Sequence, residues 1–267
     1  MTHNQPDKEG IYQIVDKSSG EPPGITTAAE QVGRCVTTSR FDTHSLDDAI
    51  GAALASRHAP LAVVAGEVRR YPADVAPFAS VGLAPTAADW VSLGRIAPTG
   101  TVAMFVDPGF TPGDGWSVVH EIALTQMTDD DIETPTEPFQ EATDLAPHDV
   151  PEMVRLTTLT APGPFEQRTV ELGGYRGVVS PEGRLLAMAG RRLSLPGWTE
   201  ISAVCTDPEA RGRGYARRLM LDVARGIRAD GDRAFLHVAE GNPARGLYES
   251  MGFVPRADLK VCVVERR

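Results

Sequence analysis

The sequence predicts an α+β protein, and three observations predict it. A hairpin reads out of Tyr175–Ser180, Pro-Glu-Gly and Arg184–Leu195, and a strand then runs over Thr199–Thr206 into a glycine-bearing loop. After that loop, Ala216, Leu219, Met220, Val223 and Ile227 recur at helical spacing over roughly Gly214–Ala229. Strands and helices are mixed along the rest of the chain rather than strictly alternating, which favours a sheet flanked by helices.

Taken in order, residues 1–40 read as an irregular lead-in, rich in Thr, Ser, Gly and Pro apart from the apolar Ile11–Val15. Ser45–Ser56 reads as a helix with Ser45 as N-cap, Leu61–Val68 as a strand and Ala88–Ile96 as a short helix. Thr101–Val106 and Trp116–Leu124 read as strands across the turn-rich DPGFTPGDG. Thr128–Pro138 combines acidic residues, threonines and two prolines and suits a linker. The division expected from these signals is a lead-in over 1–40, a companion domain over 41–136 and a second domain over 137–267. In the second domain Phe139–Leu145 reads as a strand, and Asp149 opens a helix with Pro151 in its first turn. Arg233–Val238 reads as a strand, Asn242–Met251 as a helix and Val261–Val264 as a last strand.

The 267 residues are 42% hydrophobic and 23% charged, the balance of an ordinary globular protein. Cys35, Cys205 and Cys262 are too few and too scattered for a disulfide framework or a zinc site, so a reduced, cytoplasmic protein without metal is expected. No run of eighteen apolar residues occurs, so no membrane partner is expected. The net charge of −10 is uneven: residues 1–140 carry −11 and residues 141–267 carry +1. An acidic first half argues against a nucleic-acid partner, whereas Arg211, Arg213, Arg217 and Arg218, crowded into eight residues, suit a small anion.

The informative stretch is Thr199-Glu-Ile-Ser-Ala-Val-Cys-Thr-Asp-Pro-Glu-Ala-Arg-Gly-Arg-Gly-Tyr-Ala216. Gly212 and Gly214 allow tight backbone geometry, so several N–H groups can converge at the start of a helix, whose dipole favours a phosphate. No Gly-Lys-Ser/Thr follows, so the loop is not of the Walker type.

At these residues the sequence resembles the GNAT superfamily of acetyl-CoA-dependent N-acyltransferases. The family's phosphate loop, Gln/Arg-x-x-Gly-x-Gly/Ala, is matched by Arg211, Gly214 and Ala216. Its second signature is matched by Asn242-Pro-Ala-Arg-Gly-Leu-Tyr248-Glu-Ser-Met-Gly-Phe253. The resemblance covers roughly 137–267 and implies a mixed, mainly antiparallel GNAT-type sheet. It implies that Val204, Cys205 and Thr206 pair with the pantetheine arm, that Arg211, Gly212, Arg213, Gly214, Tyr215, Ala216 and Arg217 wrap the pyrophosphate of acetyl-CoA, and that Asn242 helps hold the arm. Tyr248 would protonate the departing thiolate, and the Val204 N–H would hold the oxyanion. Glu200, eleven residues before Arg211, has the spacing of the base in the histone-acetylating branch and would act through a water. His237 is the alternative base, while a strand surface position for Glu200 and a core position for Tyr248 are the plain structural readings. The acceptor expected is a small-molecule or peptide amine, and the oligomeric state is not set by the sequence. A module that binds acyl-CoA without catalysis is the competing reading. The first half carries no second coenzyme loop, so one active site is expected. Two-part chains of this kind look like the glycine N-acyltransferase-like branch, with a smaller α/β companion that reads as a degenerate copy of the same fold.

Overall fold

The computed structural model describes residues 44–97 and 100–267. The lead-in, with Ile11–Val15 and Cys35, lies outside the described residues.

Eight strands form the main sheet. They are β4 (Thr101–Val106), β5 (Trp116–Thr128), β6 (Thr143–Asp144), β7 (Arg176–Val179), β8 (Leu185–Leu195), β9 (Trp198–Thr206), β10 (Arg233–Ala239) and β11 (Val254–Arg266). Their spatial order is β4-β11-β5-β10-β9-β8-β7-β6. All neighbours pair antiparallel except β9 and β10, which run parallel. The helix α4 (Tyr215–Ala229) is the crossover that a parallel pair requires.

This order corrects the boundary placed at 136. β5 lies between β10 and β11, and β4 closes the edge beside β11, so two strands assigned to the companion belong to the main sheet. The acidic 128–138 stretch is a connection within one sheet. Inter-strand hydrogen bonding, which composition does not report, decides the matter. The smaller unit that remains holds a three-stranded sheet of β1 (Val63–Ala65), β2 (Val68–Arg70) and β3 (Ala79–Ser80), with α1 (Ala49–Leu54) and α2 (Ala87–Ile96).

Other expectations change for local reasons. The single strand read over Leu61–Val68 is folded back as a hairpin, because Gly66 takes φ +64° between β1 and β2. α1 is capped by Asp48, whose Oδ1 accepts from the Gly51 N–H at 2.9 Å, and not by Ser45. Asp149 precedes α3 (Val150–Thr160), yet its carboxylate accepts from the Ala146 N–H at 2.8 Å and closes the preceding turn. Only Thr143–Asp144 of the Phe139–Leu145 strand is formed. The Phe139 N–H is taken by Asp222 Oδ1 at 3.1 Å and its ring lies 4.3 Å from the Arg218 guanidinium. β11 is much longer than Val261–Val264 and pairs with β5 from Val254–Thr128 to Arg266–Trp116, with a bulge beside Arg256.

Alternation along the strands sends side chains to two faces. Ile201, Leu236 and Val238 join the core beneath α4, where Leu219, Met220, Val223 and Ile227 are buried. On the opposite face, Phe235, Val263 and Ala103 pack with Ile50 and Leu54 of α1, and Met188 and Cys205 pack with Met153 and Leu156 of α3. On that face a gap opens beside Thr160, at the end of α3. The candidate site opens there.

Candidate functional site

The gap exists because the parallel pair separates. β9 and β10 are in register only from Trp198–Arg233 to Glu200–Phe235. Beyond that point Ile201–Thr206 and Leu236–Ala239 continue without pairing to each other, and both edges line a cavity of about 340 Å³. β9 carries a bulge at Ala203, which adopts φ +53° although it is not a glycine. Such a conformation costs an alanine roughly 1 kcal/mol and is retained where the surroundings impose it. The side-chain oxygen of Thr206 is also buried at the cavity edge without a hydrogen-bond partner.

At one mouth of the cavity is the loop Arg211–Gly214. Gly212 and Gly214 take φ +77° and +73°, so the loop winds in the left-handed region before α4 begins. Nothing lies within 4 Å of where a Cβ would stand on either glycine, so the backbone there is open to a ligand. Arg211 lines the cavity, and among the described residues neither Arg211 nor Arg213 has a carboxylate partner. Arg218 does: it pairs with Glu141 at 2.8 Å and is withdrawn from the anion cluster. Arg217 reaches Ser250 at 3.5 Å. Ala216 is half-buried in the first turn of α4. The Tyr215 side chain is buried in the core under α4 with Arg218 over its ring at 5.3 Å. Cys205 likewise points into the α3 core, where burial pushes its thiol up to about 12 and leaves it inert. Val204 packs toward α4, so of this strand segment the backbone is what faces the slot. Asn242 borders the cavity, but its Oδ1 accepts from the Ala244 N–H at 2.9 Å and closes the turn that leads into α5 (Ala244–Ser250).

Tyr248 stands on α5, half-buried at the cavity wall, with its ring edge-on to Phe253 at 6.2 Å. Burial pushes its phenol up to about 12, so it holds its proton throughout the neutral range.

Glu200 occupies neither of the positions expected for it. It is fully buried, and its carboxylate is gripped by Arg192, whose Nε donates to Oε2 at 2.8 Å and Nη2 to Oε1 at 2.6 Å. His237 Nδ1 lies 2.8 Å from Oε1. Burial opposes ionisation, but the Arg192 guanidinium and the His237 bond outweigh it and hold the carboxyl down at about 2. A carboxylate so placed is a poor proton acceptor, which corrects the base role read from spacing alone. Nor is His237 open as a base. Arg256 Nη1 donates to Gln126 Oε1 at 2.6 Å, so Gln126 Nε2 is the donor to the Leu46 carbonyl and to His237 Nε2, each at 3.1 Å. His237 therefore carries its proton on Nδ1, facing Glu200, with both ring nitrogens engaged.

Sequence reading missed the residues that complete the cavity. Arg192 sits where β8 has one more residue than β9, which turns its side chain toward Glu200. His120, on β5, is half-buried on the cavity wall, and Phe78 and Phe105 line the same side. No local motif marks any of the four, because they come from separate strands and one loop.

The comparisons with known proteins agree with this geometry. A family model described as FR47-like protein matches residues 175–262, which include the splayed strands and the loop. A GNAT-family protein from Novosphingobium aromaticivorans is 32% identical, covering 84% of this chain and 100% of that one, with a TM-score of 0.76. A GCN5-related N-acetyltransferase from Kribbella flavida shares the fold at 16% identity, covering 80% of this chain and 95% of that one (TM-score 0.51). A Drosophila protein does so at 16% identity, 74% and 73% coverage and a TM-score of 0.56. No curated protein matches the chain. The chain belongs to the GNAT family, and its fold is that of an acyltransferase. Among the described residues no helix is long and apolar enough to cross a membrane.

Proposed function

We propose that this chain transfers an acetyl group from acetyl-CoA to a primary amine by direct attack, without an acyl-enzyme. The parting of β9 and β10 beyond Glu200–Phe235 carries the reading. It leaves two unpaired strand edges able to hydrogen-bond an amide-bearing arm, with an open, cationic loop at one end and a protonated tyrosine beside them. The pantetheine arm lies as a substitute strand along Val204–Thr206, where the Thr206 hydroxyl gains a partner, and Arg211, Arg213 and the N–H groups of Gly212–Arg217 take the pyrophosphate. The Val204 N–H holds the oxyanion, and Tyr248 donates its proton to the departing thiolate. The amine enters from the β4–β11–β5 side and gives its proton to His120, the imidazole on that wall. Glu200, kept ionised, orients His237 and Arg192 beneath the reacting atoms as a positioning residue. A thiol-release assay with acetyl-CoA over a panel of amines tests the reading. Amine-dependent release supports it; tight coenzyme binding in calorimetry with no release from any amine identifies instead a module that binds acyl-CoA without turning it over.

A further inference from the structure

The far wall of the cavity is built mostly from residues that precede the segment matched by the family model. Register across β4, β11 and β5 sets Ala103, Val263 and His120 in one row and Phe105, Val261 and Ile122 in the next. All six line the cavity, and Phe78 closes its side with its ring 5.4 Å from that of Phe105. His120 apart, this is an apolar surface the width of three strands.

The charges beneath it cancel. Glu200 is the one carboxylate among the described lining residues, and it is engaged by Arg192 and His237. Arg192 in turn is buried against the Phe78 ring, 4.8 Å from its centroid, with two of its nitrogens committed to Glu200. His237 has both ring nitrogens engaged, by Gln126 and by Glu200, and its ring lies 4.2 Å from that of Phe105. A lysine-rich peptide would find no counter-charge on this wall. An amino acid would have to draw Arg192 away from Glu200 to pair its carboxylate, at the cost of unpairing a buried charge. The acidity of the first half of the chain therefore does not reach the cavity.

We infer that the acceptor is a primary amine on an apolar body about the size of one aromatic ring, with no second charge. The inference rests on the N-acyl transfer proposed above. An aromatic ring laid against Phe78, Phe105 and Val261 would find the offset or edge-on neighbours that rings prefer. The apolar surroundings would also favour the uncharged, attacking form of the amine over the ammonium.

The test compares 2-phenylethylamine with glycine and with an N-acetyl-lysine amide as acceptors for the full chain and acetyl-CoA. Saturation-transfer NMR of each amine on the coenzyme A-loaded protein runs beside it. The expected result is a kcat/KM for 2-phenylethylamine about 10–200-fold above either competitor, the span available to an apolar pocket. Saturation transfer to its ring protons should be lost in Val261→Asp, or in the milder Ile122→Asn if the first variant does not fold by circular dichroism. Turnover with the order of acceptors reversed overturns the inference and leaves acyl transfer standing. Saturation transfer without thiol release from any amine does the opposite: the apolar site stands and the transfer reaction falls. Neither turnover nor saturation transfer with 2-phenylethylamine overturns the inference outright.

Discussion

Replacing Glu200 by Gln would remove one buried charge and strand another. Arg192, with its side chain 11% exposed, would be left without its counter-ion, a loss typically worth about 3–5 kcal/mol. A carboxylate standing at a strand surface would cost within about 0.5 kcal/mol. Urea unfolding of Glu200→Gln separates the two, and the larger value is expected. The double variant Arg192→Met, Glu200→Leu should lose less than Glu200→Gln, since no unpaired charge remains. At Tyr248 the expectation concerns rate instead. Tyr248→Phe removes a hydroxyl that makes no hydrogen bond among the described residues, so unfolding should barely shift. Transfer should fall about 10²–10⁴-fold with coenzyme affinity unchanged. The deficit should shrink when the acetyl donor carries a more acidic thiol, because a better leaving group needs less protonation. An equal deficit with both donors would show that the hydroxyl is not the proton source.

On the function proposed here, the element that would decide coenzyme binding is the turn from β9 into α4. Its two left-handed glycines let the chain present N–H groups outward before the helix starts, and the helix then supplies a favourable dipole at the same place. A Cβ at Gly214 would meet no atom within 4 Å, so the effect of Gly214→Val on folding comes mainly from backbone conformation, about 1–2 kcal/mol. Gly214→Asn tolerates the left-handed region far better while still placing a side chain where the ligand approaches. Calorimetric titration with coenzyme A should therefore show at least about tenfold weaker binding in both variants. Only Gly214→Val should also be clearly less stable. Normal affinity in Gly214→Asn would remove the open backbone from the account.

For the whole molecule, acid sensitivity should be set in the smaller unit before it is set at the site. His58 is 7% exposed, and burial lowers its imidazole to about 4 from the usual 6.5; its Nδ1 lies 2.7 Å from the Tyr71 hydroxyl. A folded-state value below the unfolded one means that folding disfavours the protonated form. The contribution is complete above about pH 6.5 and is lost as the pH falls toward 4, by up to about 3 kcal/mol. Glu200 acts in a lower window: its depressed value gives stability that is complete above about pH 4.5 and is lost as the pH falls toward 2. Unfolding in urea at pH 7 and pH 4.5 should therefore show a loss that His58→Gln largely abolishes. An unchanged loss in that variant would place the acid sensitivity elsewhere.

The sequence by itself determined the local devices of this protein. The turns on either side of β8, the amphipathic α4 and the Arg211–Gly214 loop were readable because each depends on residues within a few positions of one another. The Asn242–Phe253 signature, with Tyr248 inside it, was readable for the same reason. What only the tertiary structure decided was everything that depends on which strands become neighbours. β5, from the first half, lies between two strands of the second, and so Gln126 meets His237 and His120 faces the cavity. Glu200 shows the difference within one side chain. Its distance from Arg211 along the chain suggested a base, but its protonation is governed by Arg192, eight residues away on β8 and beside it in space only because that strand bulges. A carboxyl's proton affinity is set by the charges and donors around it, and those are chosen by strand register rather than by position in the sequence.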